Sequence, residues 1–228
     1  MIAPETPVTA RRWGLFDILA AMALAFAGSF VMALLVSPSK PITLPQTVLL
    51  SLPMWAAYIG VPLVVTARKG SGPRAELGWS IQPLDVPIGL AFGVAGQLVL
   101  PILYRLVVNA ETLDRLDDPA RELADSAATT AAKLLLVIAV VLVAPIAEEL
   151  FFRGLIQRAI GRRLPMVAAV VVTAAIFALM HFQNLQLAGL VVAGLIFGGL
   201  AAWRGRLGPA IVAHMAFNGI AVWQLHLF

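Results

Sequence analysis

The stretch LLLVIAVVLVAPIAEELFFRG, residues 134–154, places two adjacent carboxylates inside a long apolar run. About 20 mostly apolar residues are enough for a helix to cross the hydrocarbon core of a bilayer, so this run predicts a membrane helix. A central Asp, Lys or Arg in such a helix costs about 2.5–3.5 kcal/mol on insertion scales. Ionisable residues this deep are functional candidates, and Glu148 and Glu149 therefore mark a candidate site.

The composition of the whole chain supports a membrane protein. Hydrophobic residues make up 61% of the 228 residues and charged residues 12%, against about 25% charged residues in a soluble globular protein. The absence of cysteine excludes disulfides, thiolate metal sites and a cysteine nucleophile. The formal charge of +4 comes from basic residues at the ends of apolar runs, which argues against a nucleic-acid partner.

Seven apolar segments predict an all-α fold, a polytopic bundle of about seven transmembrane helices in a lipid bilayer. The segments are Trp13–Val36, Gln46–Ala67, Leu84–Val108, Ala131–Ile160, Leu164–Phe182, Leu185–Trp203 and Pro209–Leu227. We expect two regions. Residues 1–130 would form an N-terminal transmembrane region of three spans and an acidic outer loop, and residues 131–228 a core of four spans.

The distribution of basic residues predicts the orientation in the membrane. With the N-terminus in the cytoplasm, eleven of the sixteen Lys and Arg residues fall inside and five outside. The inner set is Arg11, Arg12, Arg68, Lys69, Arg74, Arg153, Arg158, Arg162, Arg163, Arg204 and Arg206, and the outer set is Lys40, Arg105, Arg115, Arg121 and Lys133. Positive charge favours the cytoplasmic side, so we expect a multi-pass protein of the cell membrane with its C-terminus outside.

Spacing predicts which polar residues meet. A turn near residues 161–165 separates the fourth and fifth segments, and Glu148 and His181 lie equally far from it, roughly 25 Å along unbroken helices. These two residues would therefore share one depth. His214 lies only about 9 Å from the loop at residues 205–209. Either that loop enters the protein or the fourth segment bends. Asn218 follows His214 by four residues and shares its helix face.

The residue types are suited to hydrolysis. Glu149 and Arg153 are spaced as an i, i+4 ion pair, which leaves Glu148 as the reactive carboxylate. Glu148 with His181 can activate a water, and His214 and Asn218 can donate hydrogen bonds to an oxyanion. Alternatively, His181 and His214 with a Glu148 or Asn218 oxygen can hold Zn²⁺. A proton-relay carboxylate and hydrogen-bonded packing histidines are the simpler alternatives.

Three motifs carry a family resemblance. EELFFR at 148–153 fits EExxxR, FALMH at 177–181 fits FxxxH, and HMAFN at 214–218 fits HxxxN. In this order, on successive hydrophobic segments, they resemble the CAAX-protease and bacteriocin-processing (CPBP, or Abi) family of intramembrane peptidases. The resemblance covers residues 131–227.

The resemblance implies a function and a role for each residue. Glu148 would be the catalytic glutamate and His181 its partner. His214 and Asn218 would complete the site, while Glu149 and Arg153 would support it. The substrate would be a peptide or protein at the membrane. Both a zinc mechanism and a metal-free glutamate mechanism are argued for this family. Some members take part in bacteriocin immunity, so a non-enzymatic immunity factor or scaffold is the alternative to an endopeptidase.

Overall fold

The computed structural model describes residues 13–36, 42–116 and 118–226. Over these residues the chain is helical, as the sequence predicts. The helices are α1 (Leu15–Val36), α2 (Leu44–Lys69), α3 (Pro73–Leu77), α4 (Asp85–Val107), α5 (Ala110–Asp114), α6 (Asp118–Asp125), α7 (Thr130–Val137), π1 (Ile138–Val143), α8 (Ala144–Glu148), π2 (Glu149–Gln157), α9 (Arg158–Gly161), α10 (Met166–Leu179), α11 (Leu187–Arg204) and α12 (Gly208–Gln224). Arg11, Arg12 and Lys40, used in the orientation prediction, and Leu227 lie outside the described residues.

Five helices in the described part of the chain are long and apolar enough to cross a membrane. They are Leu15–Val36, Leu44–Lys69, Asp85–Leu106, Thr130–Gly161 and Leu187–Arg204. Large apolar side chains face outward from them, as a lipid-covered surface requires; Phe16 and Leu106 are 79% and 77% exposed. The chain is therefore a multi-pass membrane protein by length and composition.

The fifth and seventh apolar segments are helical, as predicted, but they form shorter helices than the other five. Helix α10 has 14 residues, because Pro165 stands at its start and the chain turns at Phe182, whose φ of 54° ends helical geometry. Helix α12 has 17 residues and begins at Gly208, inside a buried turn. The predicted helix start at Pro165 is confirmed.

The long helix Thr130–Gly161 is not a regular α-helix. Its segments π1 and π2 have the i→i+5 bonding of a π-helix. Two features disturb the α-helical pattern beside π1: Pro145 has no N–H, and Asn218 donates to the Val140 carbonyl at 2.9 Å. All nine residues of π2 are buried, because this segment packs against α2, α10 and α11.

Two glycine pairs let helices approach closely, as their GxxxG spacing predicts. A Cβ on Gly194 would lie 2.9 Å from Cα of Ala174 in α10, and one on Gly89 would lie 2.5 Å from Cβ of Val212 in α12. The first pair joins α10 to α11 and the second joins α4 to α12. These contacts hold α11 and α12 around the long helix.

The turn between α11 and α12 enters the protein at Leu207, although Gly205 is exposed, which agrees with the first of the two alternatives drawn from the sequence. The amide of Leu207 donates to the Gly78 carbonyl at 2.8 Å, and Leu207 is fully buried. Arg206 donates twice to Asp85, from Nε at 2.7 Å and from Nη2 at 2.8 Å. This turn fixes the start of α12 and thereby the depth of His214.

The acidic loop predicted outside the membrane folds into two short helices, α5 and α6. Its middle is held by Gln186 at the start of α11, whose side chain donates to the Leu116 carbonyl at 2.5 Å. Its far end packs Ala124 and Ala127 in one buried cluster with Leu44 of α2. The loop therefore lies across the ends of the helices on this side of the bundle.

Candidate active site

The spacing prediction for Glu148 and His181 is confirmed. Glu148 ends α8, and its Oε2 lies 3.9 Å from Nε2 of His181, in the turn after α10. The same oxygen lies 3.8 Å from Nε2 of His214 in α12. Three side chains from three parts of the core therefore converge on one point.

Behind Glu148 lies a buried ionic cluster. Arg153 donates from Nη1 to Oε1 of Glu149 at 2.8 Å, and both side chains are fully buried, so the predicted ion pair is present. Arg153 also donates from Nη2 to the carbonyl of Gly194 at 3.1 Å. Glu149 has a second partner that the sequence does not suggest: Nδ1 of His214 lies 2.8 Å from the same oxygen. Glu149 therefore contacts a histidine of the candidate site in addition to Arg153.

The hydrogen bonds at Nδ1 define how both histidines face Glu148. Nδ1 of His181 lies 2.7 Å from the carbonyl oxygen of Phe177, and Nδ1 of His214 faces a carboxylate oxygen. Both partners only accept, so each Nδ1 carries the proton. Nε2 of each neutral ring is then an acceptor. Oε2 of Glu148, the third acceptor, is buried without a hydrogen-bond partner among the described residues.

Aromatic rings form the walls around these groups. Phe197 stacks on His214 with ring centroids 4.5 Å apart, and Phe177 meets His181 edge-on at the same distance. The guanidinium of Arg153 lies 4.5 Å from the Phe177 ring. Phe177 and Phe197 are each 1% exposed, so they keep the local dielectric low. Phe177 lies in the FxxxH motif, whereas no sequence signal singles out Phe197.

Asn218 and His214 line one cavity, as their four-residue spacing predicts. One N–H of the Asn218 amide is engaged by the Val140 carbonyl. A carboxamide has a second N–H, which can serve a ligand. Asn218 thus ties α12 to π1 and keeps a donor for the cavity.

The donor types around Glu148 suit Zn²⁺, but their spacing does not. The distances of 3.8 and 3.9 Å from Oε2 to the two Nε2 atoms exceed the about 3.3 Å expected between ligands lying about 2.0–2.1 Å from a tetrahedral zinc. Among the described residues, no group of three or more His, Cys, Asp or Glu side chains is arranged to hold a metal ion.

A cavity of about 920 Å³ gives access to the site. Glu148, His181, His214 and Asn218 line its inner part, and residues of α5 and α6 line its other end. The volume is that of a pocket for a ligand of several residues or a drug-sized molecule. The arrangement is thus a carboxylate with two imidazoles in a low-dielectric site that an external ligand can reach.

One comparison with known proteins finds a match in the part of the chain that holds this cluster. The family model described as type II CAAX prenyl endopeptidase Rce1-like matches residues 130–220, which include each residue of the cluster. No curated protein and no solved structure matches the chain. Over residues 130–220 the chain is therefore similar to the Rce1-like type II CAAX prenyl endopeptidases, which supports a protease of the CAAX type.

Proposed function

We propose that this protein is an intramembrane endopeptidase in which Glu148 activates the attacking water. One observation carries the proposal. Oε2 of Glu148 and the Nε2 atoms of His181 and His214, 3.9 and 3.8 Å away, converge on one space at the inner end of a cavity. The Glu148 oxygen and Nε2 of a neutral His181 are acceptors in that space. Acceptors around a common space need a proton donor between them. A water there would donate its two protons to Glu148 and to one imidazole.

Charge counting supports an additional proton in the cluster. Glu148 and Glu149 bring two negative charges and Arg153 one positive charge, and all three lie in the protein interior. An unbalanced buried charge is costly, so one proton on the imidazoles would complete the balance. His214 suits this role, because its Nδ1–H already faces the Glu149 carboxylate. A protonated His214 has a donor at Nε2.

The reaction follows from these roles. Glu148 takes one proton from the water as its oxygen attacks the carbonyl carbon of the peptide. The negative charge that forms on the carbonyl oxygen is met by Nε2–H of His214 and by the second N–H of Asn218. The tetrahedral intermediate then collapses, the C–N bond breaks, and the proton on Glu148 passes to the leaving amine. His181 orients the water, and Glu149 with Arg153 orients His214.

A zinc-dependent form of the proposal uses the same residues. His181, His214 and a Glu148 or Asn218 oxygen are the donor types zinc takes, although they stand farther apart than zinc ligands do. We further propose that the protein lies in the cell membrane with a cytoplasmic N-terminus and an outer C-terminus. A peptide or protein at the membrane is its substrate, and bacteriocin processing is one such setting.

The test is cleavage of a quenched fluorescent peptide library by purified protein in detergent. Glu148→Gln keeps the shape of the side chain and removes the base, so we expect cleavage to fall by about 10²–10⁴-fold. Glu122→Gln is the matched control, since it makes the same chemical change on the exposed surface of α6. We expect Glu122→Gln to cut as the unaltered protein does.

Three outcomes distinguish the proposed mechanism from its alternatives. Equal cleavage by Glu148→Gln and the unaltered protein would reject Glu148 as the base. No cleavage by any of the three proteins, over the whole library, would favour an immunity factor or scaffold. Loss of activity with a chelator, restored by Zn²⁺ and matched by about one bound metal per chain in elemental analysis, would establish the zinc form.

A further inference from the structure

The cavity that holds the site extends from Glu148 towards one end of the bundle. Its outer wall comes from the parts of five helices that lie nearest one side: Ser51 early in α2, Tyr104 late in α4, Leu136 in α7, Gly189 early in α11 and Val222 late in α12. Because successive helices run in opposite directions, these parts share one end. Helices α5 and α6 belong to the same end, and we name it the mouth end.

The opposite end of the bundle carries most of the positive charge. Within the described residues it holds Arg68, Lys69, Arg74, Arg158, Arg162, Arg163, Arg204 and Arg206, and the mouth end holds Arg105, Arg115, Arg121 and Lys133. Arg153, which the sequence prediction counted with the inner set, is 1% exposed and belongs to the site, so it has no weight in this comparison. Eight basic residues therefore stand against four.

Orientation in a membrane depends on Lys and Arg near the helix ends, while Asp and Glu contribute little. The ion pairs of Arg206 with Asp85 and of Arg162 with Glu76 therefore do not weaken the bias. The basic end belongs in the cytoplasm, and the mouth end then lies on the opposite face. The excess of basic residues at one end and the direction of the cavity are separate observations. The first concerns charge and the second concerns shape.

We infer that the peptidase site is loaded from the non-cytoplasmic face of the membrane. Its substrates are then polypeptides that have crossed the membrane, or the outer ends of other membrane proteins, rather than prenylated chains in the cytoplasm. This inference rests on the proposed function in taking the cavity as the peptidase site. Leu113 of α5 and Asp118 of α6, which line the cavity, would be among the first residues that a substrate meets.

The chain has no cysteine, so each introduced cysteine is the single thiol in the protein. Three variants report on three places. Ala128→Cys is exposed at the mouth end, Ser51→Cys is a near-isosteric change inside the cavity, and Ser71→Cys is exposed at the basic end. A small, positively charged thiosulfonate that does not cross membranes is added to right-side-out vesicles, before and after permeabilisation.

We expect Ala128→Cys and Ser51→Cys to react in sealed vesicles, and Ser71→Cys to react only after permeabilisation. Reaction of Ser71→Cys in sealed vesicles, with Ala128→Cys protected, would overturn the inference by reversing the orientation. Reaction of Ala128→Cys without Ser51→Cys in sealed vesicles would also overturn it, because the cavity would not open on that face. These readouts do not depend on catalysis, so a failure of the proposed function remains distinguishable.

Discussion

Oε1 of Glu149 accepts a hydrogen bond from Nδ1 of His214 at 2.8 Å, across 65 positions of sequence. The same oxygen accepts from Nη1 of Arg153 at 2.8 Å. One carboxylate oxygen thus holds a cation on its own helix and an imidazole on α12, with side-chain exposures between 0% and 5%. Glu149 therefore contacts both a buried arginine and a histidine of the proposed site, so its replacement should affect stability and activity.

Replacing Glu149 should damage both stability and activity. Glu149→Gln removes the charge to which Arg153 is hydrogen-bonded, and breaking a buried pair in this way costs about 3–5 kcal/mol. We expect a marked fall in the thermal midpoint in detergent, and a fall in kcat because His214 loses the carboxylate that orients it.

The comparison variant for this prediction is Glu148→Gln, which keeps the ion pair of Glu149 with Arg153. It should lose cleavage while its thermal midpoint changes little. If Glu149→Gln unfolds at the same temperature as the unaltered protein, the ion pair of Glu149 with Arg153 contributes no net stability. The expected loss of stability would then be wrong.

Replacing Asn218 distinguishes a role in oxyanion binding from a purely structural role. Removing one oxyanion donor costs about 10²–10³ in kcat, because the interaction forms in the transition state. We expect Asn218→Ala to lower kcat by this amount with little change in KM. The control, Gln224→Ala, removes another amide late in α12 and should leave kcat unchanged. A change confined to KM would assign Asn218 to substrate binding.

Two glycines in α11 test the helix packing. Gly194→Ala would bring a methyl group 2.9 Å from the backbone of Ala174, and we expect a loss of about 1–3 kcal/mol from overpacking. Gly199→Ala meets nothing within 4 Å among the described residues, so it should be neutral or gain about 0.5–1 kcal/mol. Thermal midpoints of the two variants in one detergent give the comparison; equal midpoints would contradict the close approach.

The basic end contains a carboxylate whose titration should be visible. Burial raises the pKa of Glu76, but hydrogen bonds from the Ser71 amide and the Trp13 indole, with the charge and hydrogen bond of Arg162, outweigh burial and hold the pKa below its ordinary value of 4.5. A lowered folded-state pKa stabilises the protein above pH 4.5, and this stabilisation is lost as the pH falls through the folded-state value.

We therefore expect Glu76→Gln to lower the thermal midpoint at neutral pH, by a difference that shrinks on acidification below pH 4.5. Fluorescence of Trp13, isolated by comparison with Trp13→Phe, should change over the same interval, because its indole N–H donates to Glu76 at 3.0 Å. A difference between Glu76→Gln and the unaltered protein that stays constant with pH would show that the carboxylate is not the titrating group.

Some of the site could be predicted from the sequence, for identifiable reasons. Glu148 and Glu149 stand out because charge is rare in apolar runs, and the equal spacing of Glu148 and His181 from the turn at Pro165 predicts their meeting. That prediction assumed a regular α-helix, yet the helix is π-helical over Glu149–Gln157. Glu148 and His181 still meet, because Glu148 lies directly before π2 and α10 packs against π2.

The sequence by itself determined the all-helical membrane fold, the basic end and the set of polar residues, because these depend on composition and local periodicity. Only the tertiary structure decided that Glu149 binds His214, that Phe197 stacks on that ring, and that two of the seven segments are short helices. Those features depend on contacts between segments far apart in the chain and on a buried turn at Leu207. Local sequence carries no signal of a contact that forms only when two distant helices pack.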